Sequence, residues 1–585
     1  MSLLRFQNLS HNDSEQISSY FVASTAPLNV EDKVQIDSEA ESKHLNQIIA
    51  KIYEKIIKNP QESAEIVIAI HGYNTPKESV QEWHQDIMAY INNDPYIKEK
   101  KDKTIFLGYR WPSETIGNKD LRKSIIKSMP YPLQWLGITG IFLIVLFTFL
   151  IPATIFAILP LLIASFILLL VVTLAILKET VYFRDSYRAN NFGVSDLVEL
   201  LRQIDARIFN LACEAEEHDK ESYIWPNERR IKLTFIAHSM GSFVTTNTVR
   251  ILSDVFDIHS IGKLDIDDSE KQPQGNIGNV FCLEKLILVA PDISIETIIW
   301  SRANFLRSSL RRFKEAYLFS NEGDLALRLA SPIANYFSFP TKTRNQGYRL
   351  GNVAVMDNTK KYGILNFSKD IHSSELCKSS LPYLFISSFD STTSCLKNIQ
   401  DNLKKEDSQK TENVADIFTY FDCTDYQDKT DYPGKQGQIV KVVCPRQSKK
   451  NHLTLWDYIL TIKGYFFSQN GYIDVHGGYF QGEFTKKAIY RIAFLGFAEF
   501  LDSLESPQNI PQIIQEKIND IDKGSIQLKN EKINPDLAKN RLLKLAKFME
   551  DCDRKQIKVL LSQERYKLDI LGIDRNQTRQ ETLKR

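Results

Sequence analysis

Ser239, Asp324 and His476 are the residues of this 585-residue chain whose types and order suit nucleophilic chemistry. A serine hydroxyl is a weak nucleophile and needs a base within hydrogen-bond reach. Ser239 follows the apolar run Leu233 to Ala237 and precedes Phe243, Val244, Val249, Ile251 and Leu252, which suit a helix. It therefore falls at a strand-to-helix turn that can hold its hydroxyl clear of the sheet. Such a turn crowds the backbone, and small residues, Ala237 and Gly241, stand two positions to either side. Alanine takes the place where glycine is usual. The competing reading is a Ser-Gly turn that only starts a helix.

Of the ten histidines, His11 and His44 lie in a polar lead-in, His84 on a helix, and His218 and His259 in polar surroundings. His71 and His238 end strands ahead of or at the nucleophile. His372, His452 and His476 follow the acid, and His476 alone has Gly477 and Gly478 beside it. Asp324 follows the strand Ala316 to Phe319. It suits an imidazole-orienting acid and equally a cap for Leu325 to Leu329. Asp422 and Asp425 are its rivals, and Asp292 reads as a helix cap.

These residues need a frame. Buried runs at Ile66–Ile70, Thr104–Tyr109, Leu233–Ala237, Leu283–Ala290 and Ala316–Phe319 alternate with helical patterns. His44 to Ile57 and Ser195 to Leu211 carry apolar positions at helical spacing, and Lys487 to Leu504 predicts a closing helix. Tyr20–Ala23 suits an edge strand and Ala415–Phe421 the last strand. Repeated strand–helix alternation predicts an α/β fold with a mostly parallel sheet flanked by helices. Ligands of such sheets bind at the carboxyl ends of the strands, where all these candidates fall.

The chain resembles the α/β-hydrolase superfamily, most closely an uncharacterised bacterial branch with an H-G-Y-N motif and H-S-M-G at the elbow. The resemblance is carried by His71-Gly-Tyr-Asn74, Trp111-Pro-Ser113, His238-Ser-Met-Gly241, Ala290-Pro-Asp292, Gly323-Asp-Leu-Ala-Leu327, Arg349-Leu-Gly351 and His476-Gly-Gly-Tyr479. It covers roughly 60–485 without the central apolar stretch. The Ser–Asp–His order is that of this superfamily. It implies Ser239 as nucleophile, His476 as base on a glycine-rich loop, and Asp324 as the orienting acid. It further implies the backbone N–H groups of Tyr73 and Met240 as the oxyanion hole. His71, Gly72, Asn74, His238 and Gly241 would shape the site. The implied reaction is ester cleavage through an acyl-serine, with no cofactor and no metal.

From Ser128 to Leu177 no residue is charged. That length predicts two membrane spans, roughly 133–151 and 155–177, with Pro160 as a kink. Strands on both sides join one sheet, so the number of spans must be even. Lys119, Arg122, Lys123 and Lys127 before it, and Lys178, Arg184 and Arg188 after it, predict a cytoplasmic catalytic domain at a bacterial inner membrane. The expected organisation is a lead-in at 1–60, hydrolase parts at 61–127 and 179–504, a transmembrane hairpin at 128–178, and a charged helical extension at 505–585. Membrane lipids would contact 128–178, which favours an amphiphilic ester.

A net charge of +1 predicts no general affinity for nucleic acid. Seven scattered cysteines without a C-x-x-C pair suit reduced thiols. The amino terminus lacks an apolar core of signal-peptide length. The composition names no protein partner. Two other readings share the scaffold: an acyltransferase with an alcohol replacing water, and a non-catalytic membrane-tethered interaction module.

Overall fold

The computed structural model describes residues 4–10, 16–27, 38–58, 63–113, 181–215, 223–253, 275–294, 297, 306–327, 349–352, 354–356, 383–385, 418–443, 453, 455–467, 471–507, 510, 515, 518–519, 522 and 535–561. The strands are β1 (Leu4–Asn8), β2 (Ser18–Ser24), β3 (Glu65–Ile70), β4 (Thr104–Arg110), β5 (Ile231–His238), β6 (Asn276–Ile277), β7 (Phe281–Val289), β8 (Glu315–Ser320), β9 (Ala354–Met356), β10 (Tyr383–Phe385), β11 (Thr419–Asp422), β12 (Gln427–Lys429), β13 (Ile439–Lys441), β14 (Tyr472–Ile473) and β15 (Lys558–Leu560).

One sheet runs β1-β2-β4-β3-β5-β7-β8-β11-β15, with β6 beside β7. From β2 to β11 every pairing along this order is parallel. Both edges are antiparallel, β1 against β2 and β15 against β11. A parallel interior covered on both faces needs near-continuous apolar strands. Ile66 to Ile70 and Leu286 to Val289 meet that demand and are fully buried. Separate small sheets pair β9 with β10, and β12 with β13 and β14.

Two groups of helices flank the sheet. Ser38–Lys58, Val194–Ala215 and Met240–Leu252 pack together. Lys77–Asn93 lies over β2 and β4, while Glu483–Leu495 lies over β5 and β7; Pro95–Lys98 packs against both helices. His84 marks how closely the second group sits. A Cβ on Gly108 of β4 would lie 2.3 Å from its Nδ1, so that strand position must be glycine.

Several expectations need correction. Tyr20–Ala23 lies inside the sheet, because β1 supplies the edge beyond it. Thr419–Asp422 is not the last strand. The extension at 505–585 contributes β15 to the sheet and the helix Pro535–Arg554, whose Phe548 packs edge-on against Phe497 and Phe500. It is therefore part of the core as well as a charged tail. The expected helix from Lys487 to Leu504 is broken into Glu483–Leu495 and Phe497–Asp502, because Gly496 adopts φ 83° between them.

The apolar stretch 128–178, with both expected spans, lies outside the described residues, as do His11, His218, His259, His372 and His452. Among the described residues no helix is long and apolar enough to cross a membrane. Two of the basic residues after that stretch do not act as free flanking charges. Arg184 and Arg188 both face the buried carboxylate of Asp185, and the Arg188 side chain is itself buried.

Candidate active site

Three strand ends converge. β3 ends in His71-Gly72-Tyr73-Asn74, β5 in Ser239 and β7 in Ala290-Pro291-Asp292. Each turn contains a non-glycine residue at positive φ: Asn74 at 57°, Ser239 at 54° and Ala290 at 45°. Such conformations cost on the order of 1–3 kcal/mol each and persist only where the surroundings enforce them. At Ser239 the enforcement is visible. Its N–H donates to Val289 O at 3.0 Å, and its carbonyl accepts from Asp292 N at 3.1 Å and Ser242 N at 3.0 Å.

Close approach explains the glycines. A Cβ on Gly241 would lie 2.4 Å from His71 O and 2.6 Å from Ile70 O, both backbone atoms that cannot turn aside. A Cβ on Gly72 would lie 2.8 Å from the Cβ of Ser239. The His71-Gly72 loop is thus pressed against the serine from one side while the helix Met240–Leu252 starts on the other. Met240 opens that helix, so its N–H has no acceptor within the helix and adds to the positive N-terminal end. Tyr73 follows the glycine that touches Ser239.

Asp324 and His476 meet. Nδ1 of His476 lies 2.6 Å from Oδ2 of Asp324, whose side chain is fully buried. Oδ1 of Asp324 accepts from the N–H groups of Ala326 at 3.0 Å and Leu327 at 3.1 Å. The two oxygens of Asp324 thus divide between two contacts, Oδ2 to the imidazole and Oδ1 to the backbone turn it caps. The carboxylate accepts a proton-bearing Nδ1, which leaves Nε2 of the neutral ring as the basic nitrogen. Burial alone would lower the His476 pKa. The charge and hydrogen bond of Asp324, helped by Asp474 and Asp292, outweigh it and raise the ring above the ordinary histidine range.

His238 behaves oppositely. Burial, and the nearby His476 ring, push it down to about 3, so it is neutral. Its Nε2–H donates to the backbone oxygen of His476 at 3.0 Å, and the two rings are 4.8 Å apart. This bond holds the histidine loop beside the residue preceding Ser239. Tyr73 stands edge-on to His476 at 6.4 Å. His71 is also held well below the histidine range, by burial and then by the Arg110 charge. It stacks on Trp111 at 5.1 Å, and Trp111 Nε1 donates to His71 O at 2.9 Å.

Among the described residues, the Oγ of Ser239 and Nε2 of His476 make no hydrogen bond, and both atoms are buried. These are the two atoms between which a proton must pass in serine catalysis. Such bonds are often loose before substrate arrives and tighten in the reacting complex.

The rival acids are committed elsewhere. Asp422 accepts from Thr424 N at 3.0 Å and from the Thr424 hydroxyl, and Asp425 faces Lys558 of β15 at 3.5 Å. Among the described residues no helix starts directly after Asp292 for it to cap, since Ile293 and Ser294 are not helical. Asp292 faces Arg349 at 3.0 Å and accepts from the Tyr182 hydroxyl at 2.8 Å.

Residues outside the original candidates complete the loops. Asp474 accepts from the N–H groups of His476 at 3.1 Å and Gly477 at 2.8 Å, the turn that sets the histidine. An aspartate two positions before the histidine is a readable signal for it. Asn321 ties the acid loop to the histidine loop through Val475 O at 2.8 Å. Asp185 accepts from Asn74 N at 2.9 Å, a contact across 111 residues that no local pattern reveals. A groove of roughly 860 Å³ between Val194–Ala215 and the segment 276–281 carries none of these residues.

Residues 218–362 match the model of a family described as "Alpha/beta hydrolase of unknown function (DUF900)". The matched span holds the elbow and Asp324 and ends before His476. It supports the α/β-hydrolase superfamily. No curated protein and no solved structure matches the chain.

Proposed function

We propose that the chain is a membrane-anchored serine hydrolase that cleaves carboxylic esters. The observation that carries this reading is the 2.6 Å contact of His476 Nδ1 with buried Asp324, on a loop tied through His476 O to His238, the residue preceding a serine held at φ 54°. In the reaction, Ser239 Oγ adds to the ester carbonyl carbon and passes its proton to His476 Nε2. The developing oxyanion is received by the N–H groups of Tyr73 and Met240. The bond from carbon to the alkoxide oxygen then breaks, and His476 returns the proton to the leaving alcohol. Water repeats the sequence on the acyl-serine. Its proton goes to His476, the acyl–serine bond breaks, and Ser239 recovers the proton as the acid departs.

Anchoring is supported by the fifty uncharged residues from Ser128 to Leu177. The basic residues Lys119, Arg122, Lys123, Lys127 and Lys178 favour a catalytic domain on the cytoplasmic face. A site held near lipid favours an amphiphilic ester.

An alkyl fluorophosphonate reporter on membrane fractions tests the chemistry. Wild-type chain is expected to label and Ser239→Ala to stay blank; labelling that survives Ser239→Ala refutes the nucleophile. Protease added outside intact cells is expected to spare residues 180–585, and cleavage there refutes the orientation.

A further inference from the structure

Asp185 is fully buried and belongs to the helix that brings the chain back after residues 114–180. Its Oδ2 accepts from two donors far away in sequence. One is the hydroxyl of Ser113, the last described residue before that stretch, at 2.9 Å. The other is the backbone N–H of Asn74, also at 2.9 Å. Ser113 in turn accepts from Thr75 N at 3.1 Å. The Thr75 hydroxyl closes the turn on Tyr73 O at 3.0 Å. Oδ1 of Asp185 faces Arg184 at 3.1 Å and Arg188 at 3.6 Å, which balances its charge.

The same helix reaches the other side of the serine. The Tyr182 ring stands edge-on to Tyr73 at 5.4 Å, and its hydroxyl donates to Asp292 at 2.8 Å. Asn74 is held at φ 57°, and its N–H bond fixes the peptide linking it to Tyr73. A buried carboxylate is costly to place. Here its one backbone donor is the N–H of Asn74, next to the residue whose own N–H must meet the oxyanion.

Resting on the hydrolase reading above, we infer that Asp185 is a positioning residue for the oxyanion hole. Together with Ser113 it clamps the Tyr73–Asn74 turn, so the described segments on either side of residues 114–180 are both stitched to the loop that stabilises the transition state.

The test is the rate of labelling by an alkyl fluorophosphonate, measured on full-length chain as a function of probe concentration. Labelling forms the Ser239 O–P bond, breaks P–F, releases fluoride and sends the serine proton to His476, while the phosphoryl oxygen uses the same donors. For Asp185→Ala the maximal rate should fall about 10²–10³-fold, as for loss of an oxyanion donor, with the half-saturating concentration nearly unchanged. Asp185→Asn keeps an acceptor for Asn74 N–H and should recover most of the rate. Ser113→Ala leaves the carboxylate in place and should show a smaller loss of the same kind. It also serves if Asp185→Ala does not fold. Wild-type labelling with unchanged maximal rates in the folded variants refutes the positioning role alone. So does a loss that appears only in half-saturation or in thermal stability. Absence of Ser239 labelling in the wild type refutes the hydrolase reading and the positioning role with it.

Discussion

Asp324→Asn separates geometry from charge at the heart of the site. Asparagine has the shape of aspartate, and its amide oxygen can go on accepting from Ala326 N and Leu327 N. The loop should therefore keep its form. The other side-chain atom becomes an NH₂ that can only donate, and it faces His476 Nδ1 at the present 2.6 Å contact. The ring must then present a lone pair at Nδ1 and carry its proton on Nε2. A base with its proton already on the reacting nitrogen cannot accept another at neutral charge. The expected loss in kcat is about 10³–10⁴-fold near pH 7.5, comparable to loss of the acid in other serine triads. At about 1.36 kcal/mol per decade this is roughly 4–5 kcal/mol of transition-state stabilisation. Hydrolysis of 4-nitrophenyl butyrate from pH 5 to 9, with Asp422→Asn alongside, is the assay. The wild-type profile should rise through a histidine limb above the usual range, because Asp324 raises His476. The variant should lack that raised limb. The sign for stability is also fixed. A raised histidine contributes stability fully below its unfolded value, and the contribution is lost as pH rises through its folded value. The stability cost of Asp324→Asn should thus be larger at pH 5.5 than at pH 9. Activity within tenfold of wild type in Asp324→Asn, or an equal loss in Asp422→Asn, would refute the assignment.

Three further outcomes follow from the packing. Gly241→Ala places a methyl 2.4 Å from His71 O and 2.6 Å from Ile70 O, so it should cost about 1–3 kcal/mol or more by urea denaturation and reduce labelling of Ser239. Ser239→Gly removes the side chain from a residue at φ 54°, and should melt above Ser239→Ala because the strain of order 1–3 kcal/mol is relieved. Equal melting temperatures would show that the turn is not strained. His84 is buried and held down to about 3, chiefly by burial, so the folded chain stays unprotonated there when the unfolded chain takes up a proton. Stability should fall as pH drops from about 6.5 toward 3. His84→Leu should flatten that slope by nearly one proton in urea denaturation at several pH values, and an unchanged slope would contradict it.

The elbow was legible because its signals are local. An apolar run, a serine between small residues and a second apolar period lie within twenty positions, and close backbone approach explains why Gly241 is glycine. The order of strands β3, β5, β7 and β8 could also be anticipated as parallel, since such interiors read as continuous apolar runs. What escaped was long-range or edge structure. β15 is three residues with polar Lys558, and only its pairing with β11 makes it a strand. The break at Gly496 was hidden because apolar residues continue on both sides, and only the positive φ reveals it. Asp185 carries no local signature at all. Its partners Asn74 and Ser113 are 111 and 72 residues away. Asp292 looked like a cap because caps use aspartate, while its actual partner Arg349 comes from a separate segment.

The choice of base rests on an asymmetry that the positions of the histidines do not show. His238 and His476 have ring centroids 4.8 Å apart, close enough that protonation of either disfavours protonation of the other. Their surroundings resolve the competition in one direction. His238, partly buried like His476, offers its Nε2–H to a carbonyl, pairs with no carboxylate among the described residues, and is pushed to about 3 by desolvation and the His476 ring. His476 is 21% exposed at its side chain and is faced by Asp324, with Asp474 and Asp292 adding to the field. Pairs of titratable groups driven apart in this way reveal which one exchanges protons in the working range. On the hydrolase reading proposed above, His238 holds the loop and His476 moves the proton. Replacing His238 by asparagine, which still donates to His476 O, should therefore preserve the histidine limb of the pH profile. Loss of that limb in His238→Asn with the fold intact would reverse the assignment.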